Sequence, residues 1–268
     1  ILVATVNASD RYILGFFQGA EAAGVYSVSY GLGSIVGLVF APVFFVLIPA
    51  TAASWEKDRL DEVRVYLGFA YKYPLIVSIP MLFLLTTYSR NLISAIATPE
   101  FYSTWMLVAA VGSGIAIMNL GAIVQTILIL QDKSTKILTV SVVAATVNLI
   151  GNFVFVPRYG LQGAALVTLA TYCLQAWMIH MMTRTALAFP WQRPLLGKLL
   201  ISTVPLAVAA VLILSGRISG LLGAAVTGLT LVLYFTLLLV QGGVERREWR
   251  FVATVIGMSK SETPETVD

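Results

Sequence analysis

Charge is scarce in this 268-residue sequence, at 11% of side chains, and histidine and cysteine occur once each, as His180 and Cys173. A soluble domain of ordinary composition is about 25% charged. A lone cysteine excludes an internal disulfide. One cysteine and one histidine cannot supply the three or four ligands of a Cys/His metal site. Ser-His-Asp chemistry needs its histidine in a wet pocket, whereas His180 stands near the end of an apolar run, four residues before Arg184, and reads as interfacial. Cys173 reads as a small buried apolar residue. There is no glycine-rich GxxxxGK[ST] run to cradle a nucleotide phosphate. Nor is there the ten-residue alternation of a membrane β-barrel.

Apolar residues make up 58% of the chain. A soluble protein of about 300 residues still leaves roughly a quarter of its unfolded surface exposed. A soluble enzyme, a disordered chain and a disulfide scaffold are therefore excluded, and an all-α polytopic membrane protein is expected. About 20 apolar residues make one helical crossing. Charge-free runs cover 22–55, 73–89, 101–131, 137–157, 159–183, 199–216 and 218–244, and the opening stretch to about Phe17 adds an eighth crossing. The chain begins inside an apolar run, so it reads as a piece that starts partway into a helix.

The net charge of +4 calls for no nucleic-acid partner, because position accounts for it. Lys57, Arg59, Arg64 and Lys72, then Lys133 and Lys136, then Arg184, Arg193 and Lys198, then Arg246, Arg247, Arg250 and Lys260 fall in alternate connections and the tail. Only Arg90, Arg158 and Arg217 fall between them on the other side. Basic residues favour the cytoplasm, which places the C-terminus there and the protein in the cytoplasmic (inner) membrane. Trp55, Trp105, Trp177, Trp191 and Trp249 fall near span ends, as an interfacial belt would. In 54–66, Trp55, Leu60 and Val63 stand near helical spacing beneath a charged face, the pattern of a cytoplasmic interfacial helix. The Pro- and Arg-bearing stretch 184–198 is the best boundary. It divides a six-helix unit at 1–183 from two further helices at 199–243 and a polar cytoplasmic tail at 244–268.

Polar residues inside spans carry the functional reading. Asn7, Asp10, Arg11 and Gln18 lie near one face of the first helix. A charge at mid-bilayer costs about 2.5–3.5 kcal/mol on insertion scales, so it faces protein or water. Two accounts stand: an ion pair that locks helix packing, or an Arg11 that lines a hydrated cavity and takes an anionic head group through its planar fork. Asp10 is the one carboxylate within a span and the candidate for ion coupling. Asn148 and Asn152 stack on one face of span five, and Asn119 and Gln125 lie in span four. Each either bonds a neighbouring helix or lines the same cavity. Gly33–Gly37 has the spacing of close helix packing.

The stretch 148–171 reads NLIGNFVFVPRYGLQGAALVTLAT: a helix ends at Pro157-Arg158-Tyr159-Gly160 and restarts at Gly163-Ala164-Ala165. With Asp10-Arg11, Leu14-Gly15, Gly24-Val25-Tyr26, the APVFFVLIPATAAS run at 41–54, and Gln125 to Lys133, it resembles the polysaccharide transporter family. These are the oligosaccharide flippases of the multidrug/oligosaccharidyl-lipid/polysaccharide exporter superfamily. The resemblance covers about residues 7–175 and implies the second six-helix lobe of a two-lobe exporter, with two extra C-terminal helices. It implies a transporter rather than an enzyme. The implied partners are a lipid-pyrophosphate-linked oligosaccharide, membrane lipid and a first lobe that this chain lacks. The implied mechanism is alternating access for cell-surface polysaccharide biosynthesis, with no cofactor and no metal. Two rivals remain: a drug or cation antiporter of the same superfamily, and a membrane enzyme that polymerises or ligates lipid-linked sugars. The short outer loops disfavour the enzyme.

Overall fold

A computed structural model of the chain describes residues 2–243 apart from 103, 185, 186, 188, 191 and 192, with side chains from Ser9 onward and without that of 193. The 244–268 tail, Trp191 and Trp249 lie outside the described residues. Among the described residues there is no strand. The helices are α1 (Leu2–Ser34), α2 (Ala41–Glu56), α3 (Leu60–Thr87), α4 (Ser89–Ile96), α5 (Trp105–Leu130), α6 (Ser134–Thr183), α7 (Arg193–Leu214) and α8 (Gly220–Val240), with 3-10 turns at Ile35–Val39 and Pro99–Phe101. Six helical stretches among the described residues are long and apolar enough to cross a bilayer. The protein is an all-α polytopic bundle. The chain divides into two compact units, Ile1–Gln192 and Arg193–Asp268.

Two of the long stretches cannot be single crossings. The 50 residues of α6 would run about 75 Å if straight, more than twice the roughly 30 Å of hydrocarbon. The chain breaks α6 at Gly160 (φ 54°, ψ −133°) and α1 at Gly19 (φ 88°, ψ 167°). A residue with a Cβ meets steric strain at such angles, and glycine does not. Both breaks are hairpins. Tyr26 Oη stands 3.2 Å from Asp10 Oδ2 although 16 residues separate them, about 24 Å along a straight helix. Across the other break, a Cβ on Gly151 would meet Val167 at 2.8 Å and one on Gly163 would meet the Phe155 carbonyl at 2.8 Å. The two hairpin tips adjoin, with Gln18 3.7 Å from where a Cβ on Gly160 would stand. With both breaks counted, the seven charge-free runs and the opening stretch each fall on a helical stretch of their own, 22–55 running from the second arm of α1 through α2.

α5 is the central helix of the first unit. Leu107, Val111, Ile115, Ile123 and Ile127 bury its successive turns, and α1, α3 and α6 pack around it. Small residues permit the approach. A Cβ on Gly33 of α1 would come within 3.0 Å of the Gly112 backbone nitrogen of α5. Hydroxyls inside the helices turn back on their own carbonyls, as Ser29 does to Val25, Thr51 to Leu47 and Thr171 to Val167. In lipid this keeps each donor satisfied without a partner helix.

Two expectations change. The stretch 54–66 is not an interfacial helix. α2 ends at Glu56, Asp58 turns the chain with φ 56°, and α3 starts at Leu60. Val63 and Leu67 are fully buried. The same helical spacing serves a core stripe, and α3 carries it into the bundle before reaching the apolar run. At this turn Ser54 Oγ donates to Glu62 Oε2 at 2.8 Å, and Arg59 pairs with Glu62 at 3.2 Å. Cys173 is exposed, not buried. The surroundings of a membrane bundle are themselves apolar, so a thiol has no need of the core.

In the second unit α7 and α8 pack against each other, joined by a turn at 215–219. Lys198 Nζ donates to the Gly242 carbonyl at 2.8 Å and Gln241 Nε2 to Ser202 Oγ at 3.2 Å, closing the end opposite that turn.

Candidate functional site

The four polar residues of the first helix do not share one environment. Successive residues on a helix diverge by about 100°, so neighbours cannot both follow one stripe. Asp10 turns into the bundle and is 2% exposed. Arg11 turns sideways toward the second arm of α1. Gln18 is exposed at the hairpin tip, its Nε2 3.5 Å from the Val156 carbonyl of α6. Asn7 lies on the helix one turn before Arg11, and its side chain is outside the described residues.

Asp10 anchors a buried polar cluster drawn from both hairpins. Asn152 Nδ2 donates to Oδ1 at 2.6 Å, and Thr168 Oγ1 and Tyr26 Oη donate to Oδ2 at 2.8 Å and 3.2 Å. Tyr26 and Thr168 lie 3.2 Å apart. Asn152 also reaches the carbonyl and side-chain oxygen of Asn148, at 3.0 Å and 3.1 Å. Ser9 Oγ is 3.5 Å from Asn148 Oδ1. The Asn152 side-chain oxygen is buried with no hydrogen-bond partner among the described residues. The arrangement is a carboxylate ringed by oxygen and amide groups, able to hold a proton or a small cation away from water.

Arg11 is half-buried beside this cluster, with its guanidinium carbon 5.2 Å from the centroid of the Tyr30 ring. It makes no ion pair with Asp10: among the described residues the pairs are Arg59–Glu62 and Arg64–Asp61. Tyr30 Oη lies 3.1 Å from Tyr172 Oη of α6.

Of the sequence-derived candidates, Asp10, Asn148 and Asn152 come together and Arg11 lies at their edge. Asn119 is apart, bonding the Ile115 carbonyl of its own helix at 2.8 Å, and Gln125 lies half-buried farther along α5. Sequence reasoning missed Tyr26, Tyr30, Thr168 and Tyr172. Their signal is a matched spacing: Tyr26 and Tyr30 stand four apart, as do Thr168 and Tyr172, so each pair fills one helix face. Between α3, α5 and α6 a groove of about 90 Å³ is lined by Tyr71, Leu120, Val124, Ala176, His180 and their apolar neighbours. None of the candidates lines it.

The class defined by fold and cluster is thus a polytopic helical membrane protein with a buried carboxylate and a separate arginine between its hairpins. No family model matches the chain. It is similar to the "Uncharacterized membrane protein MJ1068" of Methanocaldococcus jannaschii, 26% identical over 179 residues, which are 64% of this chain and 35% of that protein. It is also similar to the "Probable flippase AglR" of Haloferax volcanii, 25% identical over 170 residues, 62% of this chain and 35% of that protein. The chain spans about a third of the length of these relatives.

Proposed function

We propose that this chain is part of a flippase that carries a lipid-pyrophosphate-linked oligosaccharide across the cytoplasmic membrane by alternating access, rather than an enzyme. The observation that carries the reading is Arg11: a guanidinium within a membrane-spanning arm, with no carboxylate in ion-pair range among the described residues. A sugar–pyrophosphate head group needs its hydration replaced while the lipid tail stays in hydrocarbon, and an arginine fork offers paired donors to phosphate oxygens. The similarity to a probable flippase supports the same class.

In this reading residues 1–183 form one transport lobe, 199–243 add two helices, and a second lobe outside this sequence completes the cavity. Asp10 serves as the ion-coupling group. Its buried shell is suited to exchange a proton or a monovalent cation as the lobe rocks. Asn7 and Gln18 would border the cavity with Arg11. Asn119, Gln125, Asn148 and Asn152 would act by tying the hairpins and α5 together or by lining the path. The basic ends of the helices face the cytoplasm.

The test is Arg11→Ala in the intact protein. Export of the lipid-linked sugar should fall by about tenfold or more, the scale of a lost charged hydrogen bond, while membrane insertion is unchanged. Undiminished export in that variant removes Arg11 from the site and the reading with it.

A further inference from the structure

Asp10 and Arg11 leave the helix about 100° apart, but a long arginine side chain can still swing toward an adjacent carboxylate, so what holds the guanidinium away needs a further cause. The two are adjacent in sequence, and their attraction in a low-dielectric interior is several times that in water. An Arg11 drawn onto Asp10 would lose its net charge for a ligand and spend up to two of its five N–H donors there. The structure assigns the two charges to two tyrosines one turn apart on the second arm of α1. Tyr26 gives its hydroxyl to the Asp10 carboxylate at 3.2 Å. Tyr30 offers its ring face to the Arg11 guanidinium at 5.2 Å. The two rings stand 6.0 Å apart, tilted by 44°.

Tyr30 is itself fixed. Its hydroxyl meets that of Tyr172 at 3.1 Å. Tyr172 in turn occupies a notch in α5, where a Cβ on Gly114 would come within 2.9 Å of its ring. Both arms of α1, α5 and α6 therefore converge on the position of one guanidinium. A ring face engages the plane of a guanidinium and leaves the N–H groups at its edge free to donate. Arg11 Nε is buried and has no hydrogen-bond partner among the described residues.

We propose that Tyr30, held by Tyr172, is a positioning residue that keeps Arg11 off Asp10 and presents its edge to a pyrophosphate-class anion. This rests on the reading of Arg11 given above, and the experiment separates the two. Binding of inorganic pyrophosphate and of a polyprenyl pyrophosphate is measured by calorimetry on the intact purified protein. The two ligands distinguish a free anion from a lipid head group, and the variants are read on whichever binds.

Tyr30→Leu should weaken binding by about tenfold, within the range of a desolvated cation–π contact. Tyr30→Phe keeps the ring but loses its tie to Tyr172, so it should weaken binding by about threefold, less than Tyr30→Leu and by the same amount as Tyr172→Phe. In an Asp10→Asn background Tyr30→Leu should change affinity little, because no carboxylate remains to capture Arg11. A merely structural Tyr30 would weaken binding equally in both backgrounds, and that result overturns the proposal. So does unaltered binding in Tyr30→Leu when Arg11→Ala binds poorly. Unaltered binding in Arg11→Ala, or no binding of either ligand by the unmodified protein, sinks the Arg11 reading itself and the proposal with it. If Tyr30→Leu does not accumulate in the membrane, Tyr172→Phe decides. It removes the hydroxyl tie while keeping both rings and should weaken binding measurably; unchanged affinity there overturns the proposal.

Discussion

At the level of single residues, what distinguishes this bundle is where its hydroxyls point. Most of them close onto a carbonyl of their own helix, as Thr146 does to Val142 at 2.9 Å on the exposed side of α6. Thr168 instead spends its hydrogen on Asp10 at 2.8 Å, in a site 1% exposed. Hydrogen bonds between membrane helices average about 0.6 kcal/mol and reach about 1.7. A carboxylate acceptor belongs at the upper end, since charged hydrogen bonds are the stronger ones. Thr168→Val keeps the shape and deletes the donor, so it should lower stability by about 1–2 kcal/mol. Thr146→Val should change it by less than about 0.5 kcal/mol, the ordinary range for a surface substitution. Thermal unfolding of the detergent-solubilised protein measures both. Equal effects in the two variants would mean that Asp10 does not organise its surroundings.

At the level of helices, the contacts that matter are those that let backbones approach. Gly31 and Gly33 are two residues apart on α1 and make opposite demands. A Cβ on Gly31 would meet nothing within 4 Å, whereas one on Gly33 would meet the α5 backbone at 3.0 Å. Gly31→Ala should therefore be neutral or raise the unfolding temperature, as alanine gains up to about 1 kcal/mol in a helix interior. Gly33→Ala should lower the unfolding temperature, at a stability cost of about 1–3 kcal/mol, the usual penalty of overpacking. A lower unfolding temperature for Gly31→Ala than for Gly33→Ala would contradict this packing. The helices themselves are legible in the sequence, because a crossing demands a long charge-free run. The α6 hairpin is legible too, since Pro157 to Gly160 interrupts such a run. The α2–α3 turn is not, because Leu60, Val63 and Leu67 carry a spacing that suits an interface and a core equally. The Asp10 cluster is half legible. Paired asparagines inside an apolar helix announce a buried partner. Tyr26 and Thr168 announce nothing, since hydroxyls in helices usually satisfy themselves and only the fold shows which do not.

At the level of the whole molecule, orientation follows from which connections gather at each end. In the first unit the hairpin tips at Gly19 and Gly160 lie together, and Phe101 of the 88–104 connection packs on Gly24, 3.0 Å from where its Cβ would be. That end carries Arg90 and Arg158. At the other end lie the α2–α3 turn and the α5–α6 turn, and near them Tyr71 of α3 meets Phe189 with ring centroids 5.3 Å apart. That end carries Lys57, Arg59, Arg64, Lys133, Lys136 and Arg184. Basic residues near helix ends resist translocation, so the second end should face the cytoplasm. Cysteine labelling in intact cells tests this directly. Cys173 is exposed and is first replaced by serine, together with any cysteine elsewhere in the intact protein, to leave a silent background. Ser94 stands exposed on α4 at the first end and Lys57 in the α2–α3 turn at the second. Ser94→Cys should react with a membrane-impermeant maleimide in intact cells. Lys57→Cys should react only after the membrane is opened. Labelling of Lys57→Cys from outside would invert the protein. On the proposed function the head group would then meet Arg11 from the opposite leaflet, and the proposed exporter of cytoplasmic lipid-linked sugars would no longer fit the chain's own charge distribution.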